Sequence, residues 1–504
     1  MTTQTKLPVA NDATQEIEHY DVLIVGAGIS GLGAAYELKQ NCPSRSFAIL
    51  EGMESFGGTW LWHKYPGIRS DSDLFTFGYH FKPWLGAPIA SRNEILKYLG
   101  EVISENDLTE HIHFNHRVLS ATWCSQRNVW TLQVQRQGQT ISFTCNFLWM
   151  CQGYYRHAEG YTPEWPGTDK FQGPIIHPQT WPEDIDYQGK RLIVIGSGAT
   201  AATIVPALAG NCEHVTLLQR SPTFFAPGAN RNKFADTLRD LDVDAETTHD
   251  LVRRKITRDQ NRFLRRALDE PEAMRRELQA GVAEYLPLEQ VQEHFTPSYR
   301  PWQQRIAVVP DGDLFKAIRD GDASIVTDQI DTFTENGIRL KSGAELEADI
   351  IVTATGFNLC VMGDIDFVVD GKPIDFSETV NYRGAMFTGV PNMAWIMGYL
   401  RSASWTLKVD LVAGFVSRLL NHMDDNQLAS VRVALRPEDA GMTLEPWLDE
   451  EVFNPGYMKR DVHLLPKGGD KEEWRSSQDY WVERDVLPHI DFGDPIFVYT
   501  EQSR

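Results

Sequence analysis

Three glycines near the amino terminus have the spacing of a phosphate-binding turn. The segment "DVLIVGAGISG" places Gly26, Gly28 and Gly31 in the pattern G-x-G-x-x-G. The first glycine permits a tight turn, the second lets a pyrophosphate approach the backbone, and the third allows close packing of a helix. Glu51 follows about twenty residues later, where an acidic side chain can accept a ribose hydroxyl. The pattern predicts a dinucleotide site.

The same spacing recurs in the middle of the chain. In "RLIVIGSGATAA", Gly196, Gly198 and Ala201 form G-x-G-x-x-A, and the next strand-like run, "HVTLLQRS", ends on Arg220 and Ser221. A guanidinium and a hydroxyl suit a 2′-phosphate, whereas an acid would suit a free 2′-hydroxyl. We therefore expect this second site to prefer NADP(H) to NAD(H). The alternative for Arg220 is an ordinary surface arginine at a strand end.

Two dinucleotide sites in one chain indicate hydride transfer between two cofactors. We expect FAD at the amino-terminal turn and NADP(H) at the second. A disulfide acceptor would need a C-x-x-C pair, and the six cysteines show neither that pair nor the spacing of metal ligands. We therefore predict no metal site and a reducing, cytoplasmic location. Molecular oxygen is left as the electron acceptor.

Strands and helices must position both turns. Tyr20 to Val25 reads as a strand, "LGAAYELKQ" as a helix and "SFAILE" as a second strand. The runs "NVWTLQVQR" and "QTISFTCNFLWMCQGYY" look like antiparallel strands that return to a sheet edge. Residues 232 to 294 are charge-rich with helical spacing, which indicates a helical insertion with a solvated face. "ADIIVTATGF" reads as a buried strand that ends in a turn, and a strand and a long amphipathic helix follow in "GVPNMAWIMGYL" and "SASWTLKVDLVAGFVSRLL".

These elements predict an α/β fold with two Rossmann-like dinucleotide-binding domains, one for FAD and one for NADP, and a helical insertion in the NADP domain. We assign residues 1–153 to the first part of the FAD-binding domain. The NADP-binding domain is expected at 154–349, with its insertion at about 230–295. Residues 350–504 would supply the second part of the FAD domain and a C-terminal segment. Beyond about Arg436 the chain is proline-rich, and no periodicity predicts its structure.

Composition excludes several classes of partner. The 504 residues carry 48 Lys and Arg against 69 Asp and Glu, a formal charge of −21 that repels nucleic acid and anionic lipid. Apolar runs are strand-length, and a membrane-spanning helix needs roughly 20 residues, so we expect no transmembrane segment. The first twenty or so residues lack the basic and apolar regions of a signal peptide.

Two further motifs resemble the fingerprints of the Baeyer–Villiger monooxygenases, class B flavoproteins that insert oxygen beside a carbonyl. The first, F-x-G-x-x-x-H-x-x-x-W-P, lies between the two turns and is filled by Phe171, Gly173, His177, Trp181 and Pro182. The second, G-x-W-x-x-x-x-Y-P-G-x-x-x-D, is filled by Gly58, Trp60, Tyr65, Pro66, Gly67 and Asp71. The resemblance runs from about residue 21 to about residue 420. It is strongest to mycobacterial members across "YPGIRSDSD", "GPIIHPQ", "WPED", "VIGSGATA" and "SASWTLK".

The resemblance implies roles for individual residues. Arg305 would be the catalytic arginine that faces the flavin, and Asp71 would hold it in place. An ordinary ion-paired arginine and a turn or helix-capping aspartate are the alternatives for these two residues. With the two turns, the resemblance assigns the following residues to cofactor binding: Gly26, Gly28, Gly31, Glu51, Gly58, Thr59, Trp60, Asp71, Val118, Gly196, Ser197, Gly198, Ala199, Thr200, Arg220 and Ser221.

The motif histidine, His177, is expected to tie the connector to the second domain as part of a hinge with Phe171, Gly173 and Trp181. A general base is the alternative. The sequence departs from the family at Gln304, where many members have a lysine that contacts the NADP phosphate. The family's C-terminal closing loop has no recognisable counterpart in "GYMKRDVHLLPKGGDKEEW".

The implied activity is an NADPH- and O2-dependent Baeyer–Villiger oxidation of ketones to esters or lactones through a C4a-peroxyflavin. Small-molecule ketones or thioethers and O2 are the expected partners. A monooxygenase that oxidises sulfur or nitrogen is the first alternative, and a non-enzymatic flavin-based redox sensor is the second.

Overall fold

The computed structural model describes residues 17–401 and 403–502. The expectation about a signal peptide falls mostly on residues 1–16, outside this range, and Ser402 of the "SASWTLK" segment also lies outside it. In the described ranges no helix is long and apolar enough to cross a membrane.

The first third of the chain builds most of one sheet and its helices. In chain order its elements are β1 (Glu18–Val25), α1 (Ile29–Asn41), β2 (Phe47–Leu50), α2 (Thr59–Trp62), α3 (Leu74–Phe77), α4 (Arg92–Glu105), β3 (Ile112–His113), β4 (Arg117–Cys124), β5 (Val129–Arg136) and β6 (Gln139–Met150). Strand β1 lies parallel to both β2 and β6, whereas β5 pairs antiparallel with β4 and β6. The predicted turn, helix and antiparallel return are therefore present.

Strand β1 is buried on both faces, as its continuous apolar run requires. Val22 and Ile24 contribute to one hydrophobic cluster, and Leu23 and Val25 contribute to another on the opposite face. This alternation follows from the two-residue period of a strand. The carboxyl end of β1 is thus held rigidly where the first glycine turn begins.

The middle of the chain builds a second sheet. Its elements are β7 (Tyr155–Gly160), β8 (Ile175–Ile176), β9 (Arg191–Ile195), α5 (Ala199–Leu208), β10 (His214–Gln219), β11 (Phe225–Gly228), α6 (Lys233–Asp240), α7 (Ala245–Asp269), α8 (Pro271–Ala283), α9 (Leu288–His294), β12 (Ala307–Pro310), α10 (Asp313–Asp320), β13 (Ala323–Thr327), β14 (Ile330–Thr334), β15 (Gly337–Leu340), β16 (Glu345–Glu347) and β17 (Ile350–Thr353). The strand order is β13-β10-β9-β17-β8, and every pairing in this sheet is parallel. Helices α6 to α9 form the predicted insertion, so the α/β fold with two Rossmann-like units is confirmed.

The predicted domain boundary at residues 349 and 350 cuts through this second sheet. Strand β17 begins at Ile350 and pairs with β9 at its centre, with Ile351 opposite Ile193. Because β17 is buried between β9 and β8, it cannot belong to the first sheet. We propose that the second unit continues to about residue 354.

The last third returns to the first sheet. Its elements are β18 (Phe357–Leu359), β19 (Asp366–Val369), β20 (Lys372–Pro373), β21 (Asn381–Tyr382), β22 (Met386–Phe387), β23 (Met393–Trp395), α11 (Trp405–Asp425), β24 (Leu428–Val433), β25 (Leu444–Glu445), α12 (Gly456–Asp461), β26 (Gly468–Gly469), α13 (Tyr480–Val486) and β27 (Phe497–Glu501). Strand β23 pairs in parallel with the end of β6, and β19 pairs with β4. Helix α11 packs against α1. The segment beyond Arg436, which gave no periodic signal, contains α12, α13 and β24's partner β27.

Candidate active site

A cavity of about 1170 Å³ lies where the carboxyl ends of the two sheets meet. Every residue that we assigned to cofactor binding lines it except Gly31, and so do Arg305 and Asp71. None of the four motif residues assigned to the hinge, Phe171, Gly173, His177 and Trp181, is among its lining residues. The structure therefore separates the predicted binding residues from the predicted hinge residues.

The first glycine turn is shaped so that a ligand can approach Gly28. A Cβ atom on Gly26, which has a φ of +105°, would lie 2.6 Å from the Cys151 carbonyl oxygen. A Cβ atom on Gly31 would lie 1.8 Å from the Gly26 carbonyl oxygen. Gly28 instead caps α1 and borders the cavity, and its added Cβ would find only Gly58 atoms within 4 Å. The first and third glycines thus shape the protein, and the second leaves room for a pyrophosphate.

Glu51 lies buried beside this turn, with an exposed fraction of 6%. Its two carboxylate oxygens accept hydrogen bonds from the backbone N–H groups of Ala27 at 2.7 Å and Met53 at 2.9 Å. Burial raises the pKa of Glu51 above its usual range, and these two donors oppose the shift. A carboxylate fixed in this way has lone pairs left for a ribose hydroxyl, as FAD requires.

The loop that precedes α2 closes over the first turn. Gly57 donates its N–H to the Ala27 carbonyl at 3.0 Å, and a Cβ atom on Gly58 would lie 3.2 Å from the Cα atom of Gly28. Arg92 of α4 donates to the Trp60 carbonyl at 2.6 Å and so holds α2 in place. The two glycine motifs, read separately in the sequence, form one enclosure.

The second turn repeats the first but is more open. Gly196 has a φ of +142°, and its added Cβ would lie 2.2 Å from the Ala354 carbonyl oxygen. Gly198 caps α5, is exposed, and would have no atom within 4 Å of an added Cβ. Arg220 and Ser221 are exposed at the end of β10 and line the same cavity. No carboxylate of the described chain forms an ion pair with Arg220, so its guanidinium is available to a phosphate.

Between the two turns, Arg305 and Asp71 form an ion pair. Arg305 Nη2 donates to Asp71 Oδ2 at 2.9 Å, and Arg305 Nη1 donates to the Leu400 carbonyl at 3.1 Å. Burial acts to raise the pKa of Asp71, but the Arg305 guanidinium outweighs it and the pKa lies below its usual range. Asp71 in turn raises the pKa of Arg305. The guanidinium therefore stays charged and is fixed by two acceptors on different parts of the chain.

Sequence reasoning missed an aromatic wall on this part of the cavity. It consists of Tyr154, Tyr155, Phe357, Trp405 and Tyr457. The Tyr154 ring stacks on Trp405 with centroids 4.9 Å apart, and the Tyr154 and Tyr155 hydroxyls are hydrogen-bonded. Burial raises the pKa of Tyr457 to about 12, so its hydroxyl keeps its proton at neutral pH. The "GYY" that follows β6 was a sequence signal for part of this wall, since aromatic residues at a strand's carboxyl end border the ligand crevice.

The C-terminal segment also borders the cavity, through residues 454–457, 459 and 460. Gln304, which replaces the family's lysine, reaches Asn454 Oδ1 at 3.5 Å. The Arg460 guanidinium lies 3.4 Å from the centre of the Tyr161 ring and donates to the Phe357 carbonyl at 2.9 Å. The sequence "GYMKRD", in which we recognised no closing loop, therefore forms helix α12 at the edge of the site.

The residues of the connector motif pack against the second sheet or bond to residues beside it. Phe171 is buried against Ile193, Ile195 and other residues of that sheet. A Cβ atom on Gly173 would lie 2.2 Å from the Asp349 carbonyl oxygen. His177 Nε2 donates to the Gly356 carbonyl at 3.1 Å, and His177 Nδ1 accepts from the Gln179 N–H at 3.2 Å. Burial lowers the pKa of His177, so the ring is neutral with both nitrogens occupied by the backbone.

The residues that the structure describes contain no cluster of side chains suited to metal or thiol chemistry. No group of three or more His, Cys, Asp or Glu side chains there could hold a metal ion. Cys42, Cys145, Cys151 and Cys360 form no disulfide bond and are buried, so they pack as small apolar residues do.

Comparisons with known proteins identify the family of the chain. The flavin-binding monooxygenase-like family matches residues 84–234, and the Thi4 family matches residues 7–64. The chain is 47% identical to the FAD-containing monooxygenase EthA of Mycobacterium tuberculosis over 468 residues, which cover 92% of this chain and 94% of EthA. It is 45% identical to the probable FAD-binding monooxygenase AlmA of an Acinetobacter species over 490 residues, 96% of this chain and 97% of AlmA.

Among solved structures, an oxidized steroid monooxygenase bound to NADP superposes with a TM-score of 0.77. The match covers 96% of this chain and all of that one at 22% identity, a level that supports the fold alone. The cofactor prediction of FAD and NADP(H) is confirmed at the level of the family, and so is the prediction of a flavoprotein monooxygenase. The chain belongs to the class B flavoprotein monooxygenases, among the FAD-containing monooxygenases related to EthA.

Proposed function

We propose that this chain is an NADPH- and O2-dependent Baeyer–Villiger monooxygenase that converts ketones to esters or lactones. The observation that carries the proposal is the Arg305 guanidinium, which is fixed by Asp71 and Leu400 inside a cavity shared by both dinucleotide turns. When bound, FAD supplies the redox chemistry, taking a hydride from NADPH and activating O2.

The first turn would hold FAD through Gly28 and Glu51, and the second would hold NADPH through Gly198 and Arg220. The contrast between Glu51 and Arg220 supports this division, because a carboxylate accepts a free ribose hydroxyl and a guanidinium binds a 2′-phosphate. NADPH dependence and a cytoplasmic location are parts of the proposal.

Arg305 would stabilise the negative charge that develops on the substrate's carbonyl oxygen. A guanidinium suits this role because it cannot lose its proton and its donors lie in one plane. Asp71 would keep that plane oriented, and the aromatic wall would exclude water, which strengthens the electrostatic interaction. His177 would act only as a structural hinge residue, since both of its ring nitrogens already bond to backbone groups.

The test is a side-by-side assay of one ketone and one thioether, each at two pH values, with NADPH consumption and product measured together. The proposal expects ester formation that depends on NADPH and is coupled to its oxidation. Sulfoxide formed without ester would instead make the chain a heteroatom monooxygenase. NADPH-driven O2 uptake that rises with substrate would exclude a redox sensor.

A further inference from the structure

Arg305 donates a second hydrogen bond, to the Leu400 carbonyl. Residues of the C-terminal segment in turn hold Leu400 in place. Leu400 uses both of its backbone groups: its C=O accepts from Arg305 at 3.1 Å, and its N–H donates to Gln478 Oε1 at 2.8 Å. Gln478 Nε2 also donates to the Gly398 carbonyl at 3.4 Å. One side chain from the C-terminal segment therefore binds two backbone groups of the short loop that carries Leu400.

A buried ionic network holds the same loop. The Tyr399 hydroxyl donates to Glu483 Oε2 at 2.5 Å, and the same oxygen accepts from Lys408 Nζ at 2.6 Å. Ser477 donates to Glu483 Oε1 at 2.8 Å. Glu483 and Lys408 are only 5% and 2% exposed, so this charge pair is shielded from solvent and geometrically specific.

The backbone conformation of Gln478 is further evidence that this network has a role in function. Gln478 is 2% exposed and has a φ of +47°, a left-handed conformation that costs a residue other than glycine free energy. This conformation places the amide where it reaches the backbone of Leu400 and Gly398.

We propose that Gln478 and Glu483 are positioning residues that orient the Arg305 guanidinium through Tyr399 and Leu400. The inference rests on the proposed role of Arg305. Asp71 supplies the charge that attracts the guanidinium, and the C-terminal network holds in place the neutral acceptor, the Leu400 carbonyl, that fixes the direction of its plane. Misplacement of a catalytic group by about 1 Å can lower a rate by about a hundredfold.

The principal test is Gln478→Met, which keeps the side-chain length and removes both hydrogen bonds. We expect the rate of product formation per bound FAD to fall roughly tenfold to a hundredfold, with the KM for NADPH unchanged and NADPH oxidation retained. Product per NADPH should therefore fall and hydrogen peroxide should rise. A crystal structure of the variant should show loss of the 3.1 Å contact between Arg305 Nη1 and the Leu400 carbonyl.

Asn392→Leu is the matched control. Asn392 is 1% exposed, has a φ of +45°, and bonds to the backbone of Asn146, Ala429 and Val431. None of these three partners lines the cavity, whereas Leu400, the partner of Gln478, does. The control variant should lower the melting temperature and leave product per NADPH unchanged. If Gln478→Met loses stability like this control but keeps wild-type coupling, the positioning role is wrong.

Two further variants test the inference if Gln478→Met does not fold or if the proposed role of Arg305 is itself wrong. Tyr399→Phe removes a single hydroxyl, so it tests the network even if Gln478→Met fails to fold, and we expect a smaller loss of coupling in the same direction. Wild-type coupling in Tyr399→Phe beside an unfolded Gln478→Met would overturn the inference. Arg305→Ala separates the two proposals, because full product formation by that variant would refute the role of Arg305 itself.

Discussion

The two glycine turns share one backbone design but differ in how far the protein encloses them. Gly28 is half-buried beneath the Gly57–Gly58 loop, with Glu51 fixed underneath. Gly198 is exposed, no atom of the described residues lies within 4 Å of a Cβ added to it, and Arg220 at the end of β10 is also exposed. An enclosed turn suits a ligand that stays bound, and an open turn suits one that enters and leaves in each cycle. The difference supports the proposal that the first turn holds a resident flavin and the second an exchangeable NADP(H).

Gly28→Ala gives the largest expected effect and tests the enclosed turn. The added methyl group would meet only Gly58 atoms, at 3.6 Å or more, so the fold should survive while the space for the pyrophosphate is lost. The purified variant should be colourless, with FAD measured by absorbance per protein and folding measured by the melting temperature. Gly198→Ala is the matched control and should stay yellow. Stoichiometric FAD in Gly28→Ala would contradict the assignment of the first turn.

Arg305→Ala tests the point where the two turns meet. Loss of charge stabilisation should lower product formation by about a hundredfold, or roughly 3 kcal/mol of the barrier. NADPH oxidation should continue, with hydrogen peroxide replacing product in a coupled peroxide assay. Arg305→Lys should restore little, because a point charge on a flexible stem cannot keep the planar contacts to Asp71 and Leu400. Near wild-type coupling in Arg305→Ala would refute the proposed mechanism.

Arg220→Ala tests the open turn. One charge-assisted bond to a phosphate contributes about 1.5–3 kcal/mol, so the KM for NADPH should rise roughly tenfold to a hundredfold. The KM for NADH should change little, which makes NADH the internal control in steady-state kinetics. Equal losses with both coenzymes would mean that Arg220 supports the fold instead.

His177→Ala should have the smallest effect, because it changes the connection between the turns and neither turn itself. Flavin reduction and product formation should both slow a few-fold in stopped-flow measurements, as expected for a hinge. Burial lowers the pKa of His177, so its ring is neutral above pH 7 and its removal should erase no limb of the pH–rate profile there. A limb that vanished with the histidine would identify a general base.

The two glycine turns could be predicted from the sequence because the residues that form each turn lie close together in the chain. Gly26, Gly28 and Glu51 act within one strand–turn–helix unit, so spacing alone predicts their arrangement. The resemblance to a family brought Asp71 and Arg305 together, and the structure has them in contact at 2.9 Å.

The remaining parts of the candidate site could not be predicted in the same way. They depend on contacts between residues far apart in the sequence, and no periodic pattern marks those residues. Leu400 reaches Arg305 from a loop with no motif, and Tyr457 lies in a segment whose sequence predicted no element. The position of β17 also depends on pairing with β9 across a long separation in sequence, and for this reason we propose a later boundary than the predicted one. Apolar runs predict that a strand exists, but they do not specify its neighbours.

The shared strand β6 has a consequence for biosynthesis. Its first half pairs with β5, but Leu148, Trp149 and Met150 also pair with Met393, Ala394 and Trp395 of β23. The second sheet, by contrast, is built entirely from residues 175–353. On the ribosome, the later-synthesised central unit can therefore complete its sheet while the earlier one still exposes an unpaired apolar strand edge. The first unit would then finish folding after the second, and the edge of β6 would stay unpaired until residue 395 has emerged.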